Sequence, residues 1–203
     1  MEKKFILTDK FVINSFGIKL FQIKCTKSFK YAQKGDFGGY VEKEGNLDQE
    51  NDAWVFGNAR VFGNARVSSN AWVSGDAWVS DNARVSGDAW VSDNAWVSSN
   101  AWVSGDALVS GYAWVSGDAR VFGNARVSGD AWVSGNAWVS GDADIENDNE
   151  HCGFDGFGSC NRHTHAYMTK EKKVEIICGC FRGSIEEFEK KVEETHSGTV
   201  YEK

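Results

Sequence analysis

Nine tryptophans and five of the arginines in this 203-residue chain share one setting: each stands between an Ala and a Val. An indole offers a flat face on which rings stack, and a guanidinium pairs with phosphate or carboxylate through paired N–H groups. Their combination in one periodic frame points to binding a planar anion, or to contact between protein surfaces. A second set of groups lies towards the C-terminus. His151, His163, His165 and His196 all fall after residue 146, and four of the five cysteines (Cys152, Cys160, Cys178 and Cys180) follow it too, with Cys25 alone near the start. Imidazole and thiolate are the ligands of tetrahedral zinc. A Lys-Glu-Lys turn at 170–172 between two strand-like runs, 162–169 and 173–178, would set His165 opposite Cys178 and His163 opposite Cys180 if centred between Glu171 and Lys172. Directly opposed residues share a sheet face, so His163, His165, Cys178 and Cys180 are the candidate metal ligands. A one-residue slip in register would separate them.

The Trp and Arg frame is set by a six-residue unit, (Gly/Ser/Asp)-(Asp/Asn)-Ala-x-Val-(Ser/Phe), running without insertion for sixteen copies from Asn51 to Glu146. Two looser units precede it from Gly39, with Val41 and Leu47 in the Ala slot, making eighteen in all. Ala and Val alternate with x, so they face one side of a short strand and x faces the other. The residues between are turn formers tolerant of positive φ. So short a strand cannot bury an apolar face alone, but coils stacked about 4.8 Å apart can, with Ala over Ala and Val over Val. The chain has no proline, which suits a ladder in which nearly every N–H is used.

Repeats of the form Gly-Asn-Ala-Arg-Val and Gly-Asp-Ala-Trp-Val resemble the hexapeptide-repeat superfamily, as do the opening run Lys34–Val41 and the later Cys178-Gly179-Cys180-Phe181. Within it they are similar to uncharacterised repeat proteins of bacteria and phages that are labelled transferases. The resemblance implies an all-β solenoid: a left-handed parallel β-helix of triangular section, with three strands and eighteen residues per coil. It also implies a phage or prophage source and trimers formed side by side.

With eighteen residues per coil the outward positions sort into three columns. The first is Trp54, Trp72, Trp90, Leu108 and Arg126; the second is Arg60, Trp78, Trp96, Trp114 and Trp132. The third is Arg66, Arg84, Trp102, Arg120 and Trp138. Exposed aromatic ranks of this size exceed what a soluble monomer leaves bare. The mixed third column suits a small nucleotide-like anion. Trp78, Trp96, Trp114 and Trp132 in the second suit a contact between copies of the chain, a trimer being favoured.

The interior, lined by Ala and Val, leaves no room for a ligand, so function must lie on the faces or the ends. Net charge is −7, with −6 of it in residues 51–146. An acidic body argues against duplex nucleic acid as a partner, because that binding depends on neutralising many phosphates. The start, Met1-Glu2-Lys3-Lys4, has no signal-peptide pattern, and no apolar run reaches membrane-spanning length. A cytoplasmic protein with reduced thiols follows, in the host cytoplasm if phage-encoded, with no membrane partner and no cofactor.

The superfamily's acyltransferases carry a His base on or near the coils and often a protruding loop, and the strict repeat here has neither. The reading is therefore a non-catalytic oligomeric binding protein, able to sequester a small anionic signal. A CoA-dependent acyltransferase and a structural or assembly scaffold are the alternatives. Residues 1–38 form an N-terminal β cap, 39–146 the β-helix, and 147–203 a C-terminal loop, hairpin and helix. Glu150–Cys160 reads as an irregular loop. Ser184 to Glu187 is a capping box opening a helix whose Ile185, Phe188 and Val192 would plug the last coil.

Overall fold

The computed structural model describes residues 2–157 and 162–197. Sixteen two-residue strands, β4 to β19, run from Trp54–Val55 to Asp144–Ile145, one for each strict repeat. They stack in parallel as three sheets, and each outward residue lies beside the one eighteen positions away, as in Trp72↔Trp90, Trp78↔Trp96 and Arg84↔Trp102. The three columns anticipated from the repeat are thus the three faces of a β-solenoid of about six coils. Every Val of the repeat and nearly every Ala is fully buried inside it.

The first residue of each turn has φ near +60°, whether it is Gly111 (φ 68) or Ser99 (φ 59). The position is crowded as well as left-handed. A Cβ on Gly111 would fall 2.9 Å from Gly129 N, so most repeats use glycine there. Along one corner the turn amides join a chain of side-chain bonds. Asn64 donates to Asn82, Asn82 to Asn100 and Asn100 to Asp118, at 3.0–3.2 Å.

The two leading units do not share the strict register. Val41 pairs with Val61 and Leu47 bridges to Val67, twenty residues on, so both sit in the Val slot rather than the Ala slot. Two extra residues in the corner between Leu47 and Ala53, where Asn51 takes φ 49, account for the offset.

The N-terminal cap is strands β1 (Phe5–Ile13), β2 (Lys19–Cys25) and β3 (Phe37–Val41). The first two form an antiparallel hairpin, β2 pairs with β3, and β3 joins Arg60–Val61 in parallel. The cap therefore extends the second face's sheet. Close approach at β3 requires glycine, because a Cβ on Gly39 would lie 2.7 Å from Ala59 O. In a parallel ladder the first rung's carbonyls point out of the end with no donor. Lys4 meets them, its Nζ donating to Glu50 O, Asn51 O and Ala53 O at 2.9–3.1 Å.

At the other end, β20 (His151–Phe157), β21 (Arg162–Met168), β22 (Val174–Cys178) and β23 (Phe181–Gly183) form a separate antiparallel sheet. The described part of Glu150–Cys160 is thus mostly strand, not irregular loop, while Cys160 lies outside the described residues. This sheet, not the helix, covers the last coil. Helix α1 (Ile185–His196) has the anticipated capping box but packs on β22 and β23, with Phe188 against Phe181. Ile185 stays 42% exposed, so the anticipated plug does not form. No helix among the described residues is long and apolar enough to cross a membrane.

Candidate ligand groove on the third face

The third column does not form one uniform strip. Arg66, Arg84 and Trp102 line a groove of about 670 Å³ together with Ser68 and Ser86. Its N-terminal wall is the stretch from Glu44 to Glu50, which begins with a 3-10 turn at Glu44–Asn46. The two-residue offset before the strict repeat gives this wall its place, and the sequence reading missed it for that reason.

Two neighbours hold the Trp102 ring. Its indole N–H donates to Ser86 Oγ at 3.1 Å, and the Arg120 guanidinium lies over the ring 5.8 Å from its centroid. Arg120 follows Trp102 along the stack, so the ring's other side, towards Arg84, borders the groove. The same Arg120 lies 6.0 Å from the Trp138 centroid and fills the space between the two indoles. Trp138 is outside the groove, against Phe122 at 5.6 Å. Of the five candidate ligand residues, three therefore meet in the groove, Arg120 backs one of them, and Trp138 stands apart.

The cations are available for a ligand. Arg66 and Arg84 are exposed, and neither forms an ion pair among the described residues. The acidic end is partly committed. Glu44 is paired with Lys3 at 2.6 Å, and Asp48 accepts from Glu50 N–H and the Asn51 amide. The groove so presents two guanidiniums and one indole face at one end and carboxylates at the other. An anionic group and a flat ring fit the first, and ring N–H or amino donors fit the second.

The second column differs in kind. Trp96, Trp114 and Trp132 form a ladder of nearly coplanar rings, 5.1 and 5.2 Å between centroids and tilted by only 9° and 8°. Each indole N–H reaches the Ser sixteen residues earlier, at 3.1–3.3 Å. That pairing was open to discovery in the repeat, since Ser follows nearly every Val. Phe16, at the tip of the β1–β2 hairpin, leans on Phe62, Trp78 and Trp96. The chain itself therefore covers the N-terminal half of the candidate interface column, leaving Trp114 and Trp132 exposed. The first column is covered earlier still. Trp54 is 1% exposed under Phe5 and Phe29, and Trp72 stacks on Phe56 at 3.9 Å.

The four candidate zinc ligands do not converge. The hairpin register pairs Thr164 with Cys178 and His165 with Ile177. The turn centres on Glu171, closed by Thr169 N–H to Lys173 O, with Lys172 at φ 56. Relative to the anticipated turn this is the one-residue slip that puts His165 and Cys178 on opposite faces. Cys178 takes a bond from the Thr164 hydroxyl at 3.0 Å, and Cys180 is exposed in the following turn. His163 and His165 share the face turned to the last coil.

A family profile described as YdcK beta solenoid repeat matches residues 59–75, 77–93, 101–117 and 119–135, each close to one coil. The chain is a β-solenoid repeat protein. No curated protein matches it. The matched segments of this solenoid hold most of the three columns, including Arg66, Arg84, Trp102 and Arg120.

Proposed function

We propose that this β-solenoid is a non-catalytic binding protein that holds a small nucleotide-like anion on its third face and so sequesters it. The observation that carries the reading is the groove in which Arg66 and Arg84, without an ion pair among the described residues, stand beside the open face of Trp102. Phosphate on the guanidiniums and a base on the indole use each group for what it does best. The carboxylates of the opposite wall favour a base bearing amino donors over a bare anion. Kinship with the hexapeptide-repeat superfamily, a phage source, a cytoplasmic site of action and a side-by-side trimer belong to the same proposal. Trp114 and Trp132 are the surface that such a trimer would use.

The test is calorimetry on the full chain with inorganic phosphate, ATP and a cyclic dinucleotide as probes. A nucleotide should bind and raise the melting temperature while phosphate alone does neither. Arg84→Ala should weaken that binding by about tenfold or more, which is about 1.4 kcal/mol or above. Trp102→Ala should act comparably through lost stacking, of the order of 1–3 kcal/mol per base. Absence of binding by every nucleotide, or binding indifferent to both substitutions, overturns the proposal. Acetyl-CoA turnover that is lost on substituting His163 or His165 would instead return the acyltransferase class to consideration.

A further inference from the structure

The C-terminal sheet places three histidines of one face over the open end of the last coil. His151 opposes Tyr167, and Gly153 opposes His165, so His151, His165 and Tyr167 share a face with His163. The last rung's carbonyls point towards them. His151 Nε2 lies 3.0 Å from Trp132 O, and His165 Nδ1 lies 3.1 Å from Trp138 O. A carbonyl can only accept, so each of these two ring nitrogens carries the hydrogen. In a neutral imidazole the other nitrogen is then a bare lone pair. Those two lone pairs, on His151 Nδ1 and His165 Nε2, face each other at 3.2 Å.

Lone pairs held so close repel unless something positive lies between them. A proton shared by the two rings is one candidate. A metal ion is the other. Zinc–nitrogen bonds of 2.0–2.1 Å in a tetrahedron set ligand nitrogens about 3.3 Å apart, close to the separation present. The outer N–H of each ring is tied to a main-chain carbonyl, the arrangement that fixes metal-ligating histidines elsewhere. His165 is 1% exposed, so its orientation is dictated by packing.

We propose that His151 Nδ1 and His165 Nε2, with His163 as third arm, hold a divalent transition-metal ion of the zinc class at the C-terminal end of the solenoid. No three ligating groups already meet among the described residues, so binding includes a turn of the His163 ring. That ring is near enough, its centroid 6.2 Å from that of His165 on the same strand. Gly153 keeps the space open, since a Cβ there would lie 3.2 Å from His163 Nε2. Imidazole nitrogens without thiolate suit Zn²⁺, Co²⁺ and Ni²⁺ rather than Mg²⁺ or Ca²⁺. The ion would pin β20 and β21 to each other across the last rung. This site is independent of the third-face groove.

The experiment is titration of untagged, chelator-stripped full-length protein with Co²⁺, followed by its visible d–d absorption and by competition with Zn²⁺. One ion per chain should bind, displaceable by Zn²⁺ but not Mg²⁺, with a rise in melting temperature. His151→Ala, at a partly exposed position, should weaken binding by more than about tenfold, and His163→Ala should do likewise. His165→Gln should abolish it, but that buried substitution risks the fold, so the first two variants decide the matter once circular dichroism confirms that they fold. Absence of Co²⁺ binding, or binding untouched by both His151→Ala and His163→Ala, overturns the proposal.

Discussion

The two ends of the rod face the same problem and meet it differently. A stack of parallel rungs leaves unpaired carbonyls and N–H groups at both ends. At the N-terminus the chain continues the second sheet through β3, and one ammonium, Lys4, gathers three carbonyls. At the C-terminus a separate sheet is laid across the rung, and side chains meet the exposed groups one by one. Trp132 O faces His151, Trp138 O faces His165, and Ser140 O faces the Tyr167 hydroxyl. Asp148 and Glu150 take the N–H groups of Trp132 and Glu146. Among the described residues the backbone joins the lid to the last coil at the Ala143–Thr169 bridge and the Lys170 N–H to Asp142 O bond. One end is an extension of the ladder and the other is a lid, so the lid should open first.

Substituting Lys4 tests the stronger end and should give the largest effect. Lys4→Met keeps most of the side chain's bulk but leaves three carbonyls without their donor, at a cost of about 2 kcal/mol. A lowered midpoint in chemical denaturation, with loss of hydrogen-exchange protection around 53–61, checks it. Tyr167→Phe should cost less, about 1 kcal/mol, because Ser140 O keeps its bond from Ala143 N–H and Glu175 keeps Arg182. Its exchange signature should be confined to the lid. If exchange instead quickened first at 5–25 in the unaltered protein, the contrast between the ends would be wrong.

Alkaline pH sharpens the comparison further. Burial lowers the Lys4 ammonium to about 8, against 10.5 in the unfolded chain. Between those values the unfolded state binds more protons, so this group adds stability as pH rises from 8 to 10.5 and withdraws it as pH falls through 8. The neutral amine still donates to two carbonyls without a buried charge, which methionine cannot do. Lys4→Met should therefore lose that upward limb in a series of denaturation midpoints. Phe16→Ala should have the smallest effect, some 0.5–1 kcal/mol from lost ring contacts. It should also raise the solvent exposure of Trp78 and Trp96, seen as a red shift in fluorescence.

The body of the fold was legible because its rule is local. Ala-x-Val fixes which side faces in, and uninterrupted spacing fixes which residues stack, so the three columns follow from the sequence alone. What escaped came from single-residue events between elements. Two extra residues before Ala53 shifted Val41 and Leu47 by one slot each and built the acidic wall of the groove. The hairpin turn centred on Glu171 and so parted His165 from Cys178. Glu150–Cys160 reads as a loop from its glycines, yet Gly153 is what lets two histidine rings lie across the neighbouring strand. The Trp and Arg candidates were legible as a column, but not which of them share a groove. That depends on Arg120 lying between Trp102 and Trp138.

The eighteen-residue stack has a consequence for how such a gene can change length. Removing one six-residue unit leaves Ala over Ala and Val over Val, so the interior barely registers the loss. Outside, every later residue turns by a third of a revolution; losing the unit around Arg126, for example, would set Trp138 above Trp114 instead of Arg120. Only deletions or duplications of eighteen keep each face in phase, shortening or lengthening the rod by about 4.8 Å while sparing both ends. The core therefore counts in sixes and the surface in eighteens, and the lengths at which copies of such a gene have drifted would reveal which of the two selection has been reading.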